Sequence, residues 1–370
     1  MIGSILVFLV VLSILILVHE LGHFIMARRA GVWVEEFGFG LPPRIFGKKI
    51  GETVYSLNLL PFGGFVRLHG ENEEESIEKV TRAFLTKDKK TRVGIIVAGV
   101  VMNFLLAIAC FAVVYSFMGI PQETKNVKVV DVAASSPAQV GGVVAGDFVR
   151  KVEKETVESV EEFVKLIEER KGRKVGVELE RIIDGTREVR NVTLTPRENP
   201  PEGEGPLGVI ISTTEIYYPP TLLKPFYGIY YGFKEALFWG KTVILGFAQI
   251  FKDLFAGQAP KDLAGPVGIF AVTSQAASVG ILALINFVGI LSVNLAILNI
   301  FPFPALDGGR LLFIGIEAAI GRKVLPRVES IIHTIGMIIL LVLIAAITVH
   351  DIRRLIAAGS ISGFIDGVLK

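Results

Sequence analysis

Two histidines and a glutamate stand close together in the stretch "ILILVHELGHFIMARR", as His19, Glu20 and His23. On a helix, residues four apart share a face, so the ring nitrogens of His19 and His23 can converge on one ion. Glu20 completes the H-E-x-x-H pattern, in which two histidines hold zinc and the glutamate takes and returns a proton. A metal held in this way lowers the pKa of its water towards ~7 and polarises a carbonyl, which is the chemistry of amide hydrolysis. The same pattern arises by chance in soluble helices, and a hydrogen-bonded core histidine pair is the plain alternative. Location favours the metal, because a charged or polar side chain deep in a membrane costs a few kcal/mol and three of them need a compensating role.

A catalytic zinc site takes three protein ligands and leaves a fourth position open. The single cysteine, Cys110, lies in an apolar run, so neither an intramolecular disulfide nor a multi-cysteine site is available and the third ligand must be His, Asp or Glu. Ionisable residues at membrane depth are few, and the clearest is Asp307 in "PFPALDGGR". Taken alone, an aspartate before Gly308 and Gly309 reads as a turn or cap residue. The arrangement of spans brings it back to the histidines.

That arrangement follows from composition. Hydrophobic residues make up 51% of the 370, and a mean hydropathy of +0.58 is too apolar for an ordinary soluble protein. With 38 basic and 36 acidic residues there is no broad basic field, so nucleic acid is not an expected partner. The first eighteen residues lack a basic leader and a small-residue cleavage site, so a retained membrane helix is expected rather than a removed signal peptide. The first span covers residues 1–27 and ends in Arg28 and Arg29. A second, over 93–119, follows Lys87, Lys89, Lys90 and Arg92, so residues 28–92 are expected on the cytoplasmic side. A third span, 276–310, carries Asp307; residues 311–330 form a cytoplasmic connection with Arg322, Lys323 and Arg327; the fourth span is 331–350, before a tail at 351–370. Spans one and three then run antiparallel, so Asp307 falls near the inner end of the first span, where His19 and His23 lie.

Between the spans, residues 28–92 are glycine-rich and β-prone, which predicts a small membrane-associated sheet or hairpin. Residues 120–200 turn soluble in character, with short β runs, a helical "SVEEFVKLIEERKG" and the hairpin signal Asp184-Gly185, and predict a compact α+β module outside the cytoplasm. The Pro- and Gly-rich "PRENPPEGEGP" reads as a closing linker. In residues 201–275 the aromatic stretch is interrupted by Lys234, Glu235 and Lys241, which predicts a pair of interfacial amphipathic helices.

These residues resemble the site-2 proteases, zinc enzymes that cut within membranes, of the bacterial regulated intramembrane proteolysis type. The resemblance rests on His19-Glu20-Leu21-Gly22-His23, on "NIFPFPALDGG" with Asn299, Pro302, Pro304, Leu306, Asp307 and Gly308, and on a PDZ-like module between spans two and three. It covers nearly the whole chain. It implies one Zn2+ held by His19, His23 and Asp307, with Glu20 as general base. Asn294 and Asn299 match asparagines that support substrate or transition state, with interhelical hydrogen bonding as the alternative role. Gly38-Phe39-Gly40 matches a β-loop that presents an edge to an unwound substrate, and Gly265-Pro266 matches a segment preceding the third span. Ser136-Pro137-Ala138 and Gly146-Asp147 match a PDZ domain, which binds peptide ends by β-augmentation. Relatives of the enterobacterial type carry two such modules and this chain one, and Lys154-Glu155 stands where a glycine-containing turn is usual.

The expected fold is therefore a polytopic α-helical membrane protein with four transmembrane helices, a membrane-associated β-hairpin region and one inserted α+β PDZ domain. The expected function is zinc-dependent endoproteolysis of single-span membrane proteins already trimmed outside, such as anti-sigma factors or remnant signal peptides. Its partners are the lipid bilayer, those substrates, and peptide ends or extracytoplasmic segments at the PDZ domain. Its place is a bacterial inner membrane, with both termini outside and the site towards the cytoplasm. A non-catalytic PDZ-bearing adaptor or chaperone is the rival from another class, disfavoured by the intact His19, Glu20, His23 and Asp307. A metal transporter would need more polar residues in spans two and four.

Overall fold

The computed structural model describes residues 2–71, 79–183, 185–201, 203–257, 265–322, 324–360 and 363–364. Asp184, Lys323 and the end of the tail, 365–370, lie outside them. The chain forms two compact units: residues 1–118 with 220–370, and residues 119–219.

In the first unit, α1 (Ile2–Arg29) leads to β1 (Val34–Ile50) and β2 (Thr53–Leu68), followed by α2 (Lys89–Met118). Among the described residues four helices are long and apolar enough to cross a membrane: α1, α2 and, further along the chain, Ile281–Ile300 and Arg327–Ala358. α1 and α2 meet at glycines. A Cβ on Gly22 would stand 2.3 Å from the Ala98 carbonyl oxygen, and one on Gly99 would stand 2.5 Å from His23 Nε2. Backbone approach of this kind is how membrane helices gain packing energy when there is no water to expel. The second span begins at Lys89, earlier than hydropathy implied, because its basic residues are used in packing: Arg92, 5% exposed, pairs with Glu317 at 2.6 Å.

The two strands form one antiparallel sheet in which each is long enough to bend and pair twice. Phe37 faces Val66 on one side and Tyr55 on the other; Gly38 faces Phe65 and Ser56; Phe39 faces Gly64 and Leu57. Residues 36–39 are thus interior to the sheet, and among the described residues the segment 64–68 has no strand on its outer side.

The expected pair of interfacial helices at 201–275 is instead the continuous α5 (Lys224–Phe255), with the separate α6 (Pro266–Val279) after it; residues 258–264 lie outside the described set. The reason is a stripe of small residues, Gly228, Gly232, Ala236 and Gly240, which is buried. Four-residue spacing lays them on one face, and Gly232 sits against the Ile108 carbonyl of α2, where a Cβ would be 2.7 Å away. One of the charges that argued for an interruption is satisfied at the same seam: Glu235 accepts from Tyr115 Oη of α2 at 2.8 Å and from Trp239 Nε1 of its own helix at 3.0 Å.

The third span also differs from expectation. α7 (Ile281–Ile300) stops before the aspartate, residues 301–306 are non-helical, and Asp307 opens α8 (Asp307–Ile320). Gly308 and Gly309 make this break possible, since Cβ atoms there would stand 2.0 Å from the Phe301 carbonyl oxygen and 2.6 Å from that of Phe303. The last helix, α9 (Pro326–Ala358), continues beyond the expected 331–350.

The second unit is a five-strand sheet path with helices. β3 (Ile120–Val132), α3 (Pro137–Val140), β4 (Phe148–Val152), β5 (Glu155–Thr156), α4 (Val160–Glu168), β6 (Val175–Ile183), β7 (Thr186–Leu194) and β8 (Val209–Tyr217) give the order β7-β6-β4-β3-β8, with β5 beside β4. α4 is set by its Ser159 N-cap, which accepts from Glu162 N, and its apolar stripe Phe163, Leu166 and Ile167 enters the core with Val127, Val149, Val177 and Leu179. The buried Asp147 is held by Arg181 at 2.6 and 2.8 Å and accepts from Val144 N at 3.0 Å. The unit does not close at the Pro-rich segment: the chain returns as β8, pairs with β3 and forms a sheet edge. The turn at 153–154 is made by Glu153 at φ 58°, so a non-glycine residue takes the left-handed position.

The α2–α5 seam gives a direct test. Gly232→Ile should destabilise the detergent-solubilised protein by about 1–3 kcal/mol through overpacking, read as a lowered thermal midpoint. Gly246→Ala, where an added Cβ meets nothing within 4 Å, should leave the midpoint unchanged.

Candidate metal centre and active site

α1 places His19 and His23 one turn apart, with their rings at 87° and centroids 4.7 Å apart. The break between α7 and α8 delivers Asp307 to the same point. His19 Nε2 lies 3.1 Å from His23 Nε2, and Asp307 Oδ2 lies 3.0 Å from the first and 3.2 Å from the second. The three are placed to hold one ion. Tetrahedral zinc with nitrogen or oxygen ligands at about 2.0–2.1 Å sets neighbouring donors about 3.3 Å apart, so the set has the right size. Its chemistry fits too: three atoms bearing lone pairs are crowded inside a helix bundle, and Asp307 Oδ2 is buried without a well-directed hydrogen bond.

The surroundings orient these groups. His23 Nδ1 donates to the Ile95 carbonyl of α2 at 2.9 Å, which leaves Nε2 as the lone-pair nitrogen facing the other donors. Gly99 opens the space both rings occupy, since a Cβ there would also be 2.7 Å from His19 Cε1. The loop before Asp307 is clamped by α9, where His333 Nδ1 accepts from Ala305 N at 3.0 Å and Gly336 lies against Pro304. Ala305 has φ 81°, a conformation that costs a non-glycine residue about 1–3 kcal/mol and persists only where the surroundings enforce it. One turn after Asp307, Arg310 pairs with Glu71 just beyond β2, joining α8 to the sheet.

Glu20 lies beside that sheet: a Cβ on Gly64 would be 3.7 Å from Glu20 Cγ. Of the two asparagines singled out by resemblance, Asn299 comes to the site, with Nδ2 3.3 Å from His19 Nε2. Asn294 turns back on its own helix, donating to the Ile290 carbonyl at 2.9 Å. Gly38 and Phe39 are paired on both sides and so are no edge; the open edge near Glu20 is 64–68. Gly265 and Pro266 sit at the start of α6, where Asp351 of α9 accepts from Gly265 N and Gly268 N at 2.9 Å each. α6 touches α1 through Phe270 with Phe8 and Ser274 with Ser4, away from the histidines. Sequence reasoning missed Asn103, His333 and the Glu71–Arg310 pair. Only Asn103 carried a signal, as an amide inside an apolar run.

A sequence profile of peptidase family M50 matches residues 7–343. A candidate zinc metalloprotease of Clostridium acetobutylicum is 35% identical over 350 residues, spanning 94% of this chain and 97% of the relative. The zinc metalloprotease RasP of Geobacillus kaustophilus is 30% identical over 430 residues, with 95% and 98% covered. The regulator of sigma-W protease RasP of Bacillus subtilis is 28% identical, with 96% and 99% covered.

The approach at Gly99 predicts that Gly99→Val will push the imidazoles apart. Zinc affinity, measured by chelator competition on purified protein, should fall about tenfold or more, while Gly246→Ala should leave it unchanged.

Proposed function

The chain belongs to peptidase family M50, and from that premise we propose how this integral membrane protein works as a zinc-dependent intramembrane site-2 protease. His19, His23 and Asp307 hold the zinc and Glu20 is the general base. The observation that carries this reading is the convergence of three donors at 3.0–3.2 Å within the helix bundle.

When bound, zinc supplies a Lewis acid for the scissile carbonyl and lowers the pKa of water at the site. Glu20 takes the proton from the attacking water and delivers it to the leaving amide nitrogen. Asn299 donates to charge that develops on the carbonyl oxygen, a role supported by its Nδ2 lying 3.3 Å from His19 Nε2. A transmembrane helix buries its scissile bonds in its own hydrogen-bond ladder, so the substrate must be unwound and its freed backbone groups satisfied. The open edge at 64–68, beside Glu20, offers that pairing by strand addition.

The finer assignments rest on charge and resemblance. Arg28 and Arg29 at the end of α1, with the basic start of α2, support a cytoplasmic site and extracytoplasmic termini in a bacterial inner membrane. The unit at 119–219 is read as a single PDZ domain that takes peptide ends or extracytoplasmic segments along the edge strand β8. Substrates are single-span proteins already trimmed outside, of the anti-sigma-factor or remnant-signal-peptide kind, in keeping with the B. subtilis relative named as a regulator of sigma-W.

Two experiments test this. Glu20→Gln should retain zinc and lose about 10²- to 10⁴-fold in cleavage of a model transmembrane substrate; cleavage at the wild-type rate would remove Glu20 from its role, whereas no cleavage by the wild-type chain itself would favour the adaptor reading. Replacing 119–219 by a short linker is feasible because Ile120 and Tyr217 are paired neighbours. It should admit substrates that keep bulky outer domains, and unchanged selectivity would sink a gating role for this unit.

A further inference from the structure

The two histidines are not supported alike. His23 has a carbonyl behind it, whereas behind His19, on the Nδ1 side, stands the side-chain amide of Asn103 from α2. Its Nδ2 is 3.4 Å from His19 Nδ1, and Asn103 is fully buried. Its backbone carbonyl is pinned by Ser292 Oγ of α7, which donates to it at 2.7 Å. The other amide atom, Oδ1, is a buried acceptor to which nothing donates.

These facts conflict with His19 as a ligand through Nε2. A neutral imidazole whose Nε2 lone pair faces a cation carries its proton on Nδ1. An N–H would then point at the N–H of Asn103, donor against donor. A half-turn of the amide exchanges Oδ1 and Nδ2 without changing the side chain's shape, and Oδ1 gives up no hydrogen bond in the exchange. It then accepts from His19 Nδ1, as the Ile95 carbonyl accepts from His23 Nδ1. Both acceptors come from α2, two turns apart, on either side of Gly99.

We propose that Asn103 is the positioning residue for His19, accepting the Nδ1 proton through Oδ1 so that the ring is fixed in the tautomer and orientation that offer Nε2 to zinc. Asn299 does not compete for this role. Its amide is nearer Nε2 (3.3 Å) than Nδ1 (3.5 Å), on the side where the other two donors gather. α2 therefore supplies no ligand and yet sets the direction of both histidines.

The proposal rests on His19 being a zinc ligand, which is tested separately: His19→Ala should abolish tight zinc binding, and its failure to do so would overturn both statements. With that established, the comparison is between two near-isosteric replacements. Asn103→Asp keeps an acceptor and no donor, whereas Asn103→Leu keeps neither. Zinc affinity by chelator competition should fall about 10- to 100-fold in Asn103→Leu and stay within a few-fold of wild type in Asn103→Asp. Equal losses in both, or no loss in Asn103→Leu, would overturn the proposal. A measurement on the wild-type chain needs no variant to fold: ¹⁵N spectra of histidine-labelled, zinc-loaded protein should show His19 Nδ1 protonated and protected from exchange. A bare Nδ1 would mean that Asn103 donates, and would overturn the assignment.

Discussion

Three electron-rich atoms held 3.0–3.2 Å apart inside a hydrocarbon-embedded bundle are the constraint around which this protein is arranged. Such a cluster is repulsive unless a proton or a metal ion lies among its atoms, and each of its side chains is costly at membrane depth. Everything near it either brings the donors together or prevents them from swinging apart. Gly22 and Gly99 let α1 lie on the α2 backbone, Gly308 and Gly309 let α8 start against the turn that ends α7, and Gly336 lets α9 press on that turn. At each of these positions a side chain would collide with backbone or with an imidazole ring. The site is precise because the helices around it touch through their main chains, where little can relax.

Polar groups in the bundle follow the same logic at lower stakes. Glu235 is met by Tyr115 and Trp239, Asp351 by the first amides of α6, and Arg92 by Glu317. A charge within an apolar sequence marks a place where two elements are fastened, because in lipid an unsatisfied group costs more than the ordering needed to satisfy it. This is why Glu235 does not interrupt α5. It is a polar contact of a helix that already fits its neighbour through a small-residue stripe.

Much of the arrangement was legible in the residues. The histidine spacing, the four apolar spans and the β-prone stretch between the first two are local patterns, and local patterns survive into structure. The role of Asp307 required an argument about direction of travel through the membrane, which is coarser but still one-dimensional. What could not be read was pairing. Gly38 and Phe39 look like an edge motif, yet long bent strands pair them on both sides. "PRENPPEGEGP" looks like the end of a module, yet the chain returns to the sheet as β8 beside β3. Asn103 looks like any amide in an apolar helix, and only the position of His19 gives it a purpose. The signals that failed were those whose meaning lies in a partner far along the chain.

The break before α8 has a consequence for how the protein comes into being. The helix that carries His19, Glu20 and His23 is made first, whereas Asp307 follows α7, after most of the chain has been synthesised. A nascent chain thus holds two of the three converging donors until α8 has been made.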